Sequence, residues 1–258
     1  MQSLKIGQWE VPRPIIQGGM GVGVSLSGLA GAVAREGGIG VISTAQIGFA
    51  EEGFERDQPA ANLRAIRKHI VRAKEIAGGN GLVGVNVMTA LKHYADHVRE
   101  AAAAGADVII CGAGLPTDLP ALIQDSRKTK IAPIVSSARA AQLILKLWDH
   151  HYHRTADFLV VEGPLAGGHL GFSREQLEHL EEYDFDEELR KIMACKREYE
   201  EKYGTAIPVI AAGGIFDRGD VTHALSLGVD GVQIASRFVA TEECDASPAY
   251  KQAYIQAK

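Results

Sequence analysis

A histidine set among glycines is the most chemically suggestive feature of this 258-residue sequence. The run reads Gly163-Pro164-Leu165-Ala166-Gly167-Gly168-His169-Leu170-Gly171, and its one titratable side chain is the imidazole. Histidine side chains titrate near neutrality, so a positioned one suits removal of a proton from an acidic carbon. The competing reading is a surface or hydrogen-bonded structural histidine. Function is favoured if the loop projects from the face of the fold where catalytic groups gather.

Two further stretches suit a phosphate. Ala211-Ala212-Gly213-Gly214-Ile215 and Ala235-Ser236-Arg237 each follow an apolar run and expose backbone amides with little side-chain bulk. Alone they indicate a phosphorylated ligand and nothing about redox chemistry. Gly18-Gly19-Met20-Gly21 lacks the spacing of a dinucleotide fingerprint. His150, His151 and His153 cluster, but no carboxylate or thiol ligands accompany them, so a cationic helix end on the exterior is expected and no metal. Cys111, Cys195 and Cys244 form no CxxC pair, which argues against structural zinc or a disulfide framework. Cys111 suits either cofactor contact or a small core site, and Glu162 is expected to point into the fold rather than at substrate.

These residues must be held by something. Nearly continuous apolar runs at residues 14–17, 39–43, 82–88, 107–111, 131–136, 158–162, 208–212 and 231–235 read as parallel strands buried on both faces. They recur about every 25 residues, one strand plus one helix, which predicts a closed (β/α)8 TIM barrel in a single α/β domain over residues 1–258. Helical patterns fall at 25–36, about 62–77 and 138–150, and Ser173 with Gln176 makes a capping box. Insertions lengthen the connections between strands two and three (48–80) and between strands six and seven (173–204). Either could roof the active face. For the second, dense i,i+4 charges favour a solvated outer helix pair. In such a barrel the glycine-rich and histidine-bearing segments all lie at the carboxyl ends of strands, the catalytic face.

Composition sets the outer bounds. Apolar residues make up 46%, charged residues 23%, and the net charge is -5. That is a soluble globular composition without the basic patch that nucleic acid needs. No stretch is long and apolar enough to span a membrane, and no signal peptide is visible, so a cytoplasmic location is expected.

At the motifs the sequence resembles the nitronate monooxygenase family, formerly 2-nitropropane dioxygenases. The matching stretches are Pro14-Ile15-Ile16-Gln17-Gly18-Gly19-Met20, Gly84-Val85-Asn86-Val87-Met88, Ala166-Gly167-Gly168-His169-Leu170-Gly171, Ile210-Ala211-Ala212-Gly213-Gly214-Ile215 and the segment from Gln233 to Glu243. Flavin-dependent enoyl-acyl-carrier-protein reductases share the scaffold and most of these motifs. The resemblance implies FMN as cofactor. Gly19 and Met20 would lie near its ring system, Asn86 would hydrogen-bond it, and Gly167 and Gly168 would line it. Gly213, Gly214, Ala235 and Ser236 would hold its phosphate, and His169 would be the catalytic base. It implies oxidation of an alkyl nitronate with O2. The alternatives are an NAD(P)H-dependent reductase of an enoyl thioester and, from another class, a non-redox phosphate- or flavin-binding barrel. A homodimer is compatible with all three. Leu165 departs from the family, standing where a glutamate often precedes Ala-Gly-Gly-His. Relatives also continue past the equivalent of Lys258, so a C-terminal part of the site's cover is expected to be missing.

Overall fold

Alternate residues of each central strand face two different cores, and that alternation organises the molecule. The computed structural model describes residues 2–124 and 128–257; Met1 and Lys258, the limits of the expected domain, lie outside the described residues. A hairpin of β1 (Leu4–Ile6) and β2 (Trp9–Val11) precedes the barrel strands β3 (Ile15–Gln17), β4 (Ile39–Ser43), β5 (Leu82–Met88), β6 (Val108–Gly112), β7 (Lys130–Val135), β8 (Leu159–Glu162), β9 (Val209–Ala212) and β10 (Gly231–Ile234). These eight pair in sequence order, all parallel, and β10 closes back on β3. The expected barrel is therefore present, with strand limits within a residue or so of those read from the apolar runs.

Inward residues such as Ile16, Val41, Ile110, Phe158 and Ile210 fill the barrel, while Val85, Ile109, Cys111, Val161 and Val209 face the helices. Cys111 is thus a core residue of the outer layer, fully buried. The hairpin was not expected. Gly7, at φ +57°, supplies the turn, and Leu4, Ile6 and Val11 join the interior cluster with Phe158. It plugs the end of the barrel away from the catalytic face.

The helices are α1 (Ser27–Arg35), α2 (Gln58–Ala77), α3 (Tyr94–Ala103), α4 (Leu119–Leu122), α5 (Ala138–Tyr152), α6 (Arg174–Glu178), α7 (Phe185–Cys195), α8 (Arg197–Tyr203), α9 (Arg218–Ser226), α10 (Ser236–Val239) and α11 (Pro248–Gln256). None is long and apolar enough to cross a membrane among the described residues. Asp57 caps α2 four residues earlier than the apolar pattern indicated, accepting from Ala60 N at 3.0 Å. His150 and His151 occupy the last turn of α5, with His153 as its left-handed C-cap, as the dipole argument requires.

Three aspartates repeat one device at the bottom of the barrel. Asp107, Asp157 and Asp230 each precede a strand, and their carboxylates accept from Val83 N (2.8 Å), Ile131 N (2.9 Å) and Val209 N (2.8 Å). Each also donates its own amide to the carbonyl of that same partner residue. The clip satisfies a strand-end amide that would otherwise be orphaned and sets the register of alternate strand pairs. Lys130 adds an ion pair to Asp157 at 3.0 Å.

The second insertion divides in two. Its outer half follows expectation: α7 lays Leu189 and Ile192 against α5, and Glu188 accepts from Ala138 N at 2.6 Å. Its first half, α6 and the turn after it, buries no residue. Ser173 and Gln176 form the predicted capping box there. Tyr183 reaches the active face and donates to Ser136 O at 3.1 Å.

Candidate active site

The loop after β3 shows how the sequence builds the site. Gln17 faces outward and is fully buried; its amide group exchanges hydrogen bonds with Val41 N (3.1 Å) and Val41 O (3.2 Å) and donates to Gly18 O. That locks β3 to β4 directly beneath Gly18. Ser25 then closes the loop, accepting from Met20 N at 2.7 Å. A Cβ on Gly19 would lie 2.6 Å from Asn86 Cβ, so only glycine permits this approach of the β3 loop to β5.

The carboxyl-end mouth of the barrel opens as a cleft of about 550 Å³. This is within the usual range for a small-molecule or cofactor site. Gly19, Met20, Asn86, Gly167, Gly168, His169, Gly213, Ala235 and Ser236 all line it. The structure thus brings together every predicted site residue but one. Gly214 lines a smaller neighbouring depression between α7 and α9. Its φ is +74°, and a Cβ there would stand 3.0 Å from Leu165 Cδ1.

The loops expected to take a phosphate offer fewer free amides than the sequence implied. The N-terminus of α9 is already occupied: Asp217 accepts from Gly219 N (2.7 Å) and Asp220 N (3.1 Å), and Asp220 accepts from Phe216 N and Asp217 N. Those amides hold the Asp220 carboxyl below its usual range. What remains for an anion is the Gly213 turn, at φ +94°, and the start of α10 at Ala235 and Ser236.

Four inward polar side chains stand at the cleft: Ser43 from β4, Asn86 from β5, Glu162 from β8 and Gln233 from β10. Glu162 points into the barrel as expected, but it lines the cleft as well. Phe158 and Val160 precede it on the same inward face, so the period-two register aims it into the barrel. Because it is the last residue of β8, inward also means toward the cleft. Burial pushes its carboxyl up to about 7. His169, by contrast, is exposed on its loop. Tyr250 and Tyr254, from α11, also line the cleft. Their helix is set by Asp245, which accepts from Leu26 N, Gly28 N and Leu29 N at 2.8–3.1 Å and so ties the C-terminal segment to α1.

A planar, phosphate-bearing cofactor fits these walls. At Gly167 and Gly168 an added Cβ would meet nothing within 4 Å, so bare backbone borders open space there. The polar side chains gather at the strand ends and the turn glycines lie beyond them.

A family model described as nitronate monooxygenase matches residues 2–258. The chain belongs to that family. Among family relatives, a (3aS,4S,5R,7aS)-5-hydroxy-7a-methyl-1-oxo-octahydro-1H-indene-4-carboxyl-CoA dehydrogenase of Mycobacterium tuberculosis is 26% identical over 247 residues, 96% of this chain and 58% of that one. A probable nitronate monooxygenase of Bacillus subtilis is 36% identical over 104 residues, 40% of this chain and 27% of its own length. FabK from Thermotoga maritima superposes with a TM-score of 0.72 at 27% identity, covering 96% of this chain and 66% of that one. The chain therefore spans little more than half the length of the relative that aligns along nearly all of it.

Proposed function

We propose that this chain forms the FMN-holding barrel of an oxidoreductase that oxidises alkyl nitronates with O2. The observation that carries the reading is the glycine-walled cleft, with an anion-receptive turn at one end and two proton-handling side chains beside it. FMN bound there would supply the electron acceptor and the route to oxygen. The Gly213 turn and the start of α10 hold its phosphate. Asn86 and Gln233 offer amide donors and acceptors to a polar ring edge. His169 orients the nitronate anion, or takes the α-proton when the neutral nitroalkane is offered. Glu162, raised to about 7 by burial, is mostly neutral below that pH and there donates a hydrogen bond as well as accepting one.

A second reading has its own support. The relative aligned over 96% of the chain is, by name, a dehydrogenase of a carboxyl-CoA compound, whereas the match to the nitronate monooxygenase covers 40%. The described residues lining the cleft also include no lysine or arginine to face a nitronate anion. Both points favour an NAD(P)H-linked oxidoreductase of a neutral acyl thioester.

One experiment separates the readings. Purified protein should release FMN on denaturation, and anaerobic reduction of its flavin by NADH, NADPH and a nitronate is then compared side by side. Fast reduction by the nitronate alone supports the first reading, and by a nicotinamide the second. A folded sample that neither carries nor takes up FMN removes both and leaves a non-redox phosphate-binding barrel.

A further inference from the structure

The mouth of the cleft carries several large apolar side chains left open to water. Leu165 is 67% exposed and lies over the turn at Gly214. The same cleft is lined by Tyr250 and Tyr254, each 42% exposed, and by Val22, 50% exposed. The tyrosines sit four residues apart on α11, with ring centroids 5.3 Å apart and hydroxyls 3.4 Å apart. They present one amphipathic surface, rings together and oxygens together. Side chains of this size left open to water around one cleft mark a place where apolar surface is covered during use.

We infer that Leu165, Tyr250 and Tyr254 form an apolar clamp that selects substrates by the size of the hydrocarbon body attached to the reacting carbon. The inference rests on the cofactor-holding cleft proposed above but not on which head group, nitro or thioester, is oxidised. A short substrate leaves the clamp wet and gains nothing from it. A chain of six to ten carbons, or a fused ring of similar size, displaces that water and lies between the leucine and the rings. A glutamate at 165 would face the same hydrocarbon with a charge that loses its hydration.

Burying one methylene group multiplies affinity by about fourfold, and a partly open mouth realises roughly half to all of that in logarithmic terms. Two non-reacting ladders test it on the FMN-loaded 258-residue chain: linear carboxylates, which copy the two-oxygen anion of a nitronate without an oxidisable nitro carbon, and saturated N-acetylcysteamine thioesters, each from four to ten carbons. Binding is read anaerobically from the perturbation of the flavin absorbance bands. Wild-type affinity should rise roughly twofold to fourfold per methylene in whichever ladder binds. Leu165→Glu and Tyr254→Ala should each flatten that slope while leaving flavin content unchanged. Leu165→Met, which keeps an apolar side chain, should retain it. Failure of the wild type to hold FMN would refute the cofactor reading and leave the clamp to be read by calorimetry with the same ladders. A flat wild-type slope in both ladders, or no binding in either, overturns the clamp. A slope that survives both disruptive variants overturns it too, by moving the apolar subsite elsewhere. Loss of flavin from Tyr254→Ala with the slope intact assigns the rings to the cofactor and likewise overturns it.

Discussion

Replacing Glu162 by glutamine should make the protein more stable at alkaline pH and leave it nearly unchanged at pH 4 to 5. The carboxyl is raised from 4.5 to about 7 because burial disfavours its anion. Below 4.5 it is protonated in both folded and unfolded chains and contributes no difference. Between 4.5 and 7 the unfolded chain ionises first, and folding stability falls. Above 7 both states are ionised and the folded state carries the whole cost. At 1.36 kcal/mol per pH unit that cost is about 3 kcal/mol, and water at the cleft mouth reduces it toward about 2 kcal/mol. Glutamine keeps the size and hydrogen-bonding capacity but cannot ionise. The Glu162→Gln protein should therefore melt roughly 5 to 10 °C above wild type at pH 8.5. The two should converge toward pH 4.5. Thermal melts by far-UV circular dichroism, at fixed ionic strength and matched flavin content, measure the gap. Parallel melting curves from pH 5 to 8.5 would refute the reasoning, because the carboxyl would then be solvated or paired at neutral pH.

Three further substitutions probe the rest of the design. His169→Asn should keep the fold and the bound flavin yet lose ~100- to 10,000-fold in turnover, with a larger loss for the neutral nitroalkane than for its nitronate if the imidazole takes the carbon proton. Wild-type turnover would make His169 structural. Gly214→Val puts a β-branched residue at φ +74° against Leu165, so it should lose about 2 kcal/mol of stability and also weaken flavin binding by reshaping the turn. Unchanged flavin content in the folded variant would move the phosphate site off this loop. Asp157→Ala strands Ile131 N and removes the partner of Lys130, which should cost about 2 to 4 kcal/mol in denaturant melts with flavin affinity unaltered.

What the sequence reveals depends on how far each signal reaches. Barrel strands such as 82–88 and 108–112 are largely buried on both faces, so their apolar runs, interrupted only by Asn86, are legible. The hairpin escapes because Lys5 and Glu10 each interrupt a three-residue strand, and only packing into the barrel interior explains Leu4, Ile6 and Val11. The glycine and histidine positions are legible from the resemblance, since motif residues at strand ends converge once a barrel closes. Glu162 is half legible: its inward register follows from Phe158 and Val160, but its depth depends on where β8 stops. Tyr250 and Tyr254 carry no local sign of the site. They reach it through Asp245, more than 200 residues from the α1 amides that hold it.

The two ends of the barrel are built on opposite principles, and the candidate site depends on the difference. At the bottom, Asp107, Asp157 and Asp230 satisfy strand-end amides with carboxylates, and the hairpin excludes water from the interior. At the top, strands end in glycines and small residues, and among the described residues Glu162, at the end of β8, makes no such clip. A half-buried acid such as Glu162 can sit there because the register below is fixed independently of it. The same separation lets the mouth change character. Leu165 and α11 lie beyond the strand ends, so a charge exchanged for a leucine, or a rim of two tyrosines, alters what the cleft accepts without disturbing the strands that hold it.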